Sequence, residues 1–489
     1  MLSNIVITVV FFATYFLFLS VYQFVLHPLA KFPGPRVAAL THYYRAWYDV
    51  VHHGGWLDQL KLLHERYGSI VRVGPNELHF SACNAYNEIS RFPRDRHWYK
   101  GTLCPTPEAL ITIADPQEAS KRRGRYGPYF SRKAVLELES IVQYNVDKLI
   151  HKLSSYATST APADLNLAYR AATNDIITGY LFSQKFNALD HERFEHPLLT
   201  GFDELMSSVW ILKYTLYDSK LFPMPRLPDW IVRVVNPAAQ PVLDQKDFLV
   251  QKMKAWEADA RMGKRGDSGE RAIFDSFLKP DWLAKQQDGI LDFDKGGQDL
   301  EYPWVAPRPV IIDECTSIQF AGTDTVSNAC LFATFHLCND RIMLEKLRKE
   351  LDEAWSDVED QMSYEKLEKL PYLTGVIKES LRLSHGAAGA LPRVVNKSAT
   401  VIAGCSVPSG TTVSSASYFV HMNPAIFPNP EKAIPERWIG PDSRALDKHL
   451  VAFSKGPRTC IGVNLAWCEL YLIIGNLFRK LDMEIYDTT

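Results

Sequence analysis

The stretch Phe453-Ser454-Lys455-Gly456-Pro457-Arg458-Thr459-Cys460-Ile461-Gly462 decides how the chain reads. Its one cysteine sits in a Gly-Pro-Arg loop, directly before an apolar helical pattern that begins near Gly462. Amide N–H groups at a helix start stabilise a thiolate and lower its pKa. The glycines let backbone approach something large and flat, and Arg458 offers a forked cation to an anion. A thiolate held this way suits an axial haem ligand. The competing reading is a small buried hydrophobe, the ordinary fate of a lone cysteine.

Further patterns lie upstream. In Lys378-Glu379-Ser380-Leu381-Arg382, the acid and the arginine are three apart and share one helix face; Pro435-Glu436-Arg437-Trp438 follows later. Ala321-Gly322-Thr323-Asp324-Thr325 sits inside a long helical pattern. Glycine costs about 0.5–1 kcal/mol against alanine in a helix interior. Close approach of a ligand would explain its presence. Basic residues recur at Arg122-Arg123, after Asp115-Pro116, and at Arg393 in Leu391-Pro392-Arg393-Val394.

With these patterns the chain resembles the cytochrome P450 family, whose haem-binding loop F-x-x-G-x-R-x-C-x-G is matched at every fixed position. The resemblance covers about residues 28–489. It implies a mainly α fold with a minor β region, haem b as cofactor, and electrons from a separate NADPH-dependent flavoprotein reductase. Cys460 would be the axial ligand of the haem iron. Arg458, Arg123 and Arg393 would contact the cofactor, and Gly322 would make room at its distal face. Glu379, Arg382 and Arg437 would form a buried charge cluster that locks the loop. Asp324 and Thr325 would be the catalytic pair, relaying protons as dioxygen is activated. Ala119 stands where the family usually has Trp or His four residues before Arg123, so one propionate contact is missing. Two further departures concern the substrate side. Pro303, Pro307 and Pro309 crowd the approach to Ala321, and only 29 residues follow Cys460 in a chain of 489. The family usually has some tens more, including a hairpin that touches substrate. An incomplete, spliced or weakened enzyme is the expectation that follows.

Ahead of this region, Ile5 to Leu26 is an apolar run, and no Asp, Glu, Lys or Arg precedes Lys31. At about 1.5 Å per residue such a helix spans roughly 33 Å, enough to cross a bilayer core. A cleaved signal peptide is the alternative, but it lacks a basic leader and a small-x-small site. Lys31 and Arg36 follow the run, so the positive-inside rule places the rest of the chain in the cytosol. The reading is an endoplasmic reticulum anchor over 1–27, a proline-rich hinge over 28–36, and one catalytic domain over 37–489. His27-Pro28 ends the helix, and Phe32-Pro33-Gly34-Pro35 is stiff and non-helical.

Composition agrees with a large globular protein. Lys plus Arg is 54 against 56 for Asp plus Glu, and this net charge of −2 argues against a nucleic-acid binder. Eight cysteines are too few for a disulfide scaffold, which suits a reducing compartment. Gly68 to Phe80 alternates around a Gly-Pro turn and predicts a β-hairpin. Most of 115–255 reads helical, as do 310–338, 341–355, 370–384 and 462–480, with strand signals between 392 and 413. Residues 221–231 read as an apolar loop, or else a second membrane contact, and 260–309 as a long polar linker. Three functions compete. The first is a membrane-anchored monooxygenase acting on an apolar small molecule, in the style of fungal enzymes that decorate terpenoids or polyketides. The others are a haem-thiolate isomerase or dehydratase that needs no dioxygen, and a haem-binding protein without turnover.

Overall fold

The computed structural model describes residues 2–102, 106–159, 161–182, 186–214, 229–235, 237–261, 273, 308–396, 398–441 and 443–488. Its first element is helix α1 (Leu2–Val21), continued by a wider turn over Tyr22–Leu26 that stops where His27 turns extended. Val6, Ile7, Val10, Phe16, Leu17 and Phe18 are exposed along it. Among the described residues, however, no helix is long and apolar enough to cross a membrane. The segment expected to span is therefore helical and apolar on its surface without meeting that test. Its C-terminal end is tied down, because Arg72 donates to the backbone oxygen of Gln23 at 2.8 Å and to its side-chain oxygen at 2.5 Å.

Helix α2 (Trp56–Tyr67) precedes the expected hairpin of β1 (Ile70–Gly74) and β2 (Glu77–Phe80). A run of helices follows: α3 (Pro116–Tyr126), α4 (Arg132–Ser154), α5 (Leu165–Phe182), α6 (Pro197–Leu212), α7 (Gln240–Arg261), α8 (Arg308–Asn339), α9 (Arg341–Ala354) and α10 (Pro371–Ser384). Their starts follow local chemistry. Asp115 accepts from the Glu118 amide with Pro116 in the first turn, Ser131 caps α4, and Asp340 caps α9. Short strands β3 (Arg393–Val394), β4 (Thr400–Ile402), β5 (Cys405–Val407) and β6 (Thr412–Ser414) lead to the last helix, α11 (Val463–Lys480). One sheet runs β1-β2-β6-β3, with β2 and β6 parallel and the other pairs antiparallel; β4 and β5 form a separate hairpin.

The main core lies where α4, α5, α8, α10 and α11 meet. Helix α8 is apolar on several faces, as a helix enclosed by others must be. It packs along α5 and also against α7, α10 and α11. The expected helices at 310–338, 341–355, 370–384 and 462–480 are all present within a few residues. Of the 221–231 segment, 221–228 lie outside the described residues and Asp229–Val235 is helical rather than looped. Nearly all of 260–309 lies outside them too, Pro303 and Pro307 included. Pro309 falls in the first turn of α8 as described, where a missing N–H costs nothing.

Candidate active site

The loop before α11 folds on its own backbone. The Cys460 amide donates to the Phe453 carbonyl at 2.8 Å, the Ser454 amide to the Val451 carbonyl at 2.8 Å, and the Thr459 hydroxyl to the Phe453 carbonyl at 3.0 Å. Gly456 has φ +74, and a Cβ there would lie 2.9 Å from the Ser90 carbonyl oxygen. Both facts require glycine at this position. Cys460 is exposed by surface area yet lies deep in the protein, as a side chain lining an internal cleft does. Burial pushes its thiol pKa up, against the lowering by the Gly462 amide and the Arg123 guanidinium. The pKa lowering read from the helix start is thus present in its causes and reversed in its sum, because desolvation is larger. A bound metal cation inverts that balance and deprotonates a coordinating thiol.

Behind the loop lies the expected charge cluster. Arg382 is 0% exposed and donates to both oxygens of Glu379, at 2.9 and 2.7 Å. Arg437 adds an ion pair at 3.3 Å, and the Trp438 indole and Ile434 amide donate to the same carboxylate at 2.7 and 2.9 Å. Arg382 spends its remaining N–H groups on the carbonyls of His421, Pro430 and Lys432. A buried ion pair is tolerated only when satisfied in this way. Gly375 lets the two segments meet, since a Cβ there would lie 2.6 Å from the Pro435 oxygen. The route to the loop runs through a histidine. His421, fully buried, accepts the Val451 amide on Nε2 at 2.9 Å. From Arg382 to His421 to Val451, the cluster grips the start of the cysteine loop.

Guanidinium groups gather on the other side. Arg123 donates to the Thr459 carbonyl at 2.7 Å and so braces the residue before Cys460. Arg458 donates to the Ile113 carbonyl. Arg393 is 2% exposed, and beside it lies Arg94, which the sequence reading missed. Backbone pairing between residues 93–95 and 392–394 puts the two arginines next to each other. Burial and neighbouring cations push Arg94 down to about 9 and Arg458 down to about 10. Arg94 Nε and Arg393 Nη1 are buried and hydrogen-bond to nothing among the described residues. Such a cluster asks for an anion.

The family model for cytochrome P450 matches residues 54–489. Conidiogenone synthase PchP450 of Penicillium rubens is 34% identical over 479 residues, covering 96% of this chain and 91% of that protein. The cytochrome P450 monooxygenase TRI4 of Trichoderma arundinaceum is 32% identical over 486 residues, covering 98% and 89%. Tryptophan 6-hydroxylase fscE of Fusarium equiseti is 30% identical over 481 residues, covering 96% and 89%. The chain belongs to the cytochrome P450 family.

As a P450 it is a haem-dependent monooxygenase, working with haem b and an NADPH-dependent reductase. The residues present fit that cofactor. Cys460 would supply the thiolate, and the unsatisfied N–H groups of Arg94 and Arg393, with Arg123 and Arg458, would suit two propionates. Of the expected contacts, Cys460, Arg458, Arg123 and Arg393 converge here. A Cβ on Gly322 would lie 2.8 Å from Ile177 Cγ1 of α5. Helix–helix packing is by itself a sufficient reason for glycine at this position. The P450's two catalytic candidates also separate. Thr325 and Ala321, one turn apart, are exposed on a helix otherwise largely covered, and the Thr325 hydroxyl donates to the Ala321 carbonyl at 2.8 Å. Asp324 instead turns toward α5. Arg170 donates to it at 2.8 Å and holds Asp203 of α6 with two further bonds, at 2.7 and 3.0 Å. Burial raises the Asp324 pKa, and Arg170 lowers it in part. Arg170 was missed, though a lone arginine between Tyr169 and Ala171 in an apolar helix is a signal that a carboxylate must be near.

Proposed function

We propose that this P450 oxygenates an apolar small molecule of fungal secondary metabolism, of terpenoid or polyketide type, while held at the endoplasmic reticulum membrane by residues 5–26. Support for the substrate class comes from relatives such as conidiogenone synthase PchP450, similar over nearly their whole length. Support for the anchor comes from the exposed apolar side chains of α1 and from the stop at His27. Haem, when bound, supplies the activation of dioxygen. The chain's own residues supply the rest. Cys460 offers a thiolate from a loop fixed by the Phe453 and Val451 carbonyls. Thr325 holds a hydroxyl on the open face of α8, with its proton on the Ala321 carbonyl and its lone pairs free to accept. Asp324 holds a carboxylate one residue away, its orientation set by Arg170.

The observation that carries this reading is the opening of α8 at Ala321 and Thr325, with an accessible Cys460 in the matching loop. The test is a reconstituted system of the full chain, a flavoprotein reductase and NADPH, with candidate terpenoids and polyketides. Thr325→Val keeps shape and removes the hydroxyl. Product formed per NADPH should fall and hydrogen peroxide should rise, at a cost of about 10²–10⁴-fold in product rate. Unchanged coupling sinks the role of Thr325, and a haem protein that consumes NADPH without product from any candidate sinks the substrate class. Removing residues 2–26 should shift the protein to the soluble fraction; full protection of the catalytic region from protease in intact microsomes would reverse the topology.

A further inference from the structure

The cysteine loop opens on a strained turn. Ser454 has φ +59, the left-handed region that a residue with a Cβ keeps only where its surroundings hold it. The turn aims the acceptor that fixes Cys460. The Ser454 amide donates to the Val451 carbonyl at 2.8 Å, and the carbonyl just before it, of Phe453, takes the Cys460 amide at 2.8 Å. If the turn relaxes, that acceptor moves with it. Two side chains from outside the loop hold the turn, one at each end. At its far end the Ser454 side chain hydrogen-bonds to the Tyr86 hydroxyl. Tyr86 lies on the short helix Cys83–Ile89, and its buried ring packs with Val420 and Val451.

At the near end stands His421. Arg382 lies two residues before the end of α10, where carbonyls lack partners within the helix. The rings of His385 and His421 both hydrogen-bond to the Arg382 carbonyl, and their Nδ1 atoms are 3.5 Å apart. A carbonyl only accepts, and Nε2 of His421 already takes the Val451 amide at 2.9 Å. The proton of the His421 ring is therefore on Nδ1. Burial, with His385 and Arg382 alongside, pushes the His421 pKa well down and keeps the ring neutral. Arg382 in turn donates to the His421 carbonyl at 3.1 Å, a backbone contact that survives a side-chain change at 421. We propose that His421, together with Tyr86, is a positioning residue for the Cys460 thiolate: the two pin the strained turn at Val451 and at Ser454 and so hold the Phe453 carbonyl under the cysteine amide. The inference rests on Cys460 as the haem ligand and is independent of the substrate class proposed above.

The test uses the full-chain, haem-loaded protein and two readouts. One is hydrogen exchange, by mass spectrometry, of the peptide that contains Val451 and Ser454. The other is the rate at which the thiolate band of the reduced carbon monoxide complex decays at fixed temperature. His421→Leu leaves the buried Val451 amide without an acceptor and should speed both about tenfold. His421→Gln, whose Oε1 takes the place of Nε2, should bring both back to within about threefold of the unaltered protein. Tyr86→Phe should speed both about fivefold. Glycine adopts the left-handed backbone freely, so in a Ser454→Gly background Tyr86→Phe should change neither readout by more than about twofold. Unchanged exchange in His421→Leu and Tyr86→Phe overturns the proposal, even where the urea midpoint falls, since the side chains then serve stability alone. Faster exchange with an unchanged decay of the band overturns it too, because the turn would not govern the thiolate. So does a glutamine variant no better than the leucine one. Should His421→Leu fail to fold, His421→Gln decides: a loss of fold or of exchange protection there overturns the pinning. If the unaltered protein shows no thiolate band, the ligand assignment of Cys460 fails, and exchange alone decides whether the turn is pinned.

Discussion

Gly322 offers a test in which packing and ligand approach predict opposite outcomes. A Cβ at this position would lie 2.8, 3.1 and 3.2 Å from Cγ1, Cβ and Cδ1 of Ile177, all closer than ordinary contact. Overpacking of this kind costs about 1–3 kcal/mol. Alanine also gains about 1 kcal/mol over glycine in a helix interior. The net destabilisation of Gly322→Ala is therefore about 0–2 kcal/mol. Ile177→Ala alone opens a cavity beside a residue that is 1% exposed and costs about 2–5 kcal/mol. In that background two of the three close contacts vanish, so Gly322→Ala should keep its propensity gain and refill part of the hole. Its sign then flips, to a stabilisation of about 1 kcal/mol, and the coupling between the two sites is about 1–3 kcal/mol. The assay is urea unfolding of the haem-loaded full chain, followed by ellipticity and haem absorbance together, comparing midpoints at constant slope. An additive cycle refutes the packing argument. So does a Gly322→Ala protein of unchanged stability whose haem spectrum or substrate affinity alone is altered, since that would tie the glycine to the cofactor.

Other outcomes follow from the same geometry. Cys460→Ala should retain the fold but lose the absorbance band that marks thiolate ligation in the reduced carbon monoxide complex; a variant keeping that band refutes the ligand assignment. Glu379→Ala leaves the Arg382 guanidinium, 0% exposed, without its carboxylate, at a cost of about 3–5 kcal/mol, read as a lowered urea midpoint. Arg94→Leu and Arg393→Leu should each speed transfer of haem to apomyoglobin roughly tenfold, and unchanged transfer would remove that residue from the propionate site. Arg170→Met removes the cation that lowers the Asp324 pKa, so the carboxyl, already raised by burial, rises further. Activity requiring ionised Asp324 is lost as pH falls through that pKa, so the acid limb of the rate profile should move to higher pH. A raised folded pKa also means that protonation favours the folded state, and the variant should regain stability on acidification. A limb that stays in place refutes the pairing.

The unmatched cations and the charge cluster divide the labour around Cys460. Glu379 is saturated with donors, so its assembly is a rigid support that holds the loop through His421 and Val451. The arginines opposite are undersatisfied, which makes that side a receptor for anions rather than a brace. Arg123 belongs to both, since it holds the Thr459 carbonyl and also acts on the Cys460 thiol.

What the sequence determined by itself was contiguous or nearly so. The cysteine loop is legible because its geometry is made from its own backbone, with Gly456 at positive φ and the Cys460 amide on Phe453. Glu379 and Arg382 are legible because helical spacing puts residues three apart on one face. The large helices are legible from apolar periodicity, while the structure shows the caps, such as Asp115 and Asp340, that fix where they start. Only the tertiary structure decided which groups meet across long stretches of chain. Arg170 and Asp324 are 154 positions apart, and no local pattern encodes their bond. Arg94 joins Arg393 because two short backbone segments pair at the sheet edge. Gly322 shows the limit most plainly. An unfavourable residue in a helix interior signals that something must come close, but a helix is surrounded on all sides, and only the packing of α5 against α8 reveals that the neighbour is Ile177.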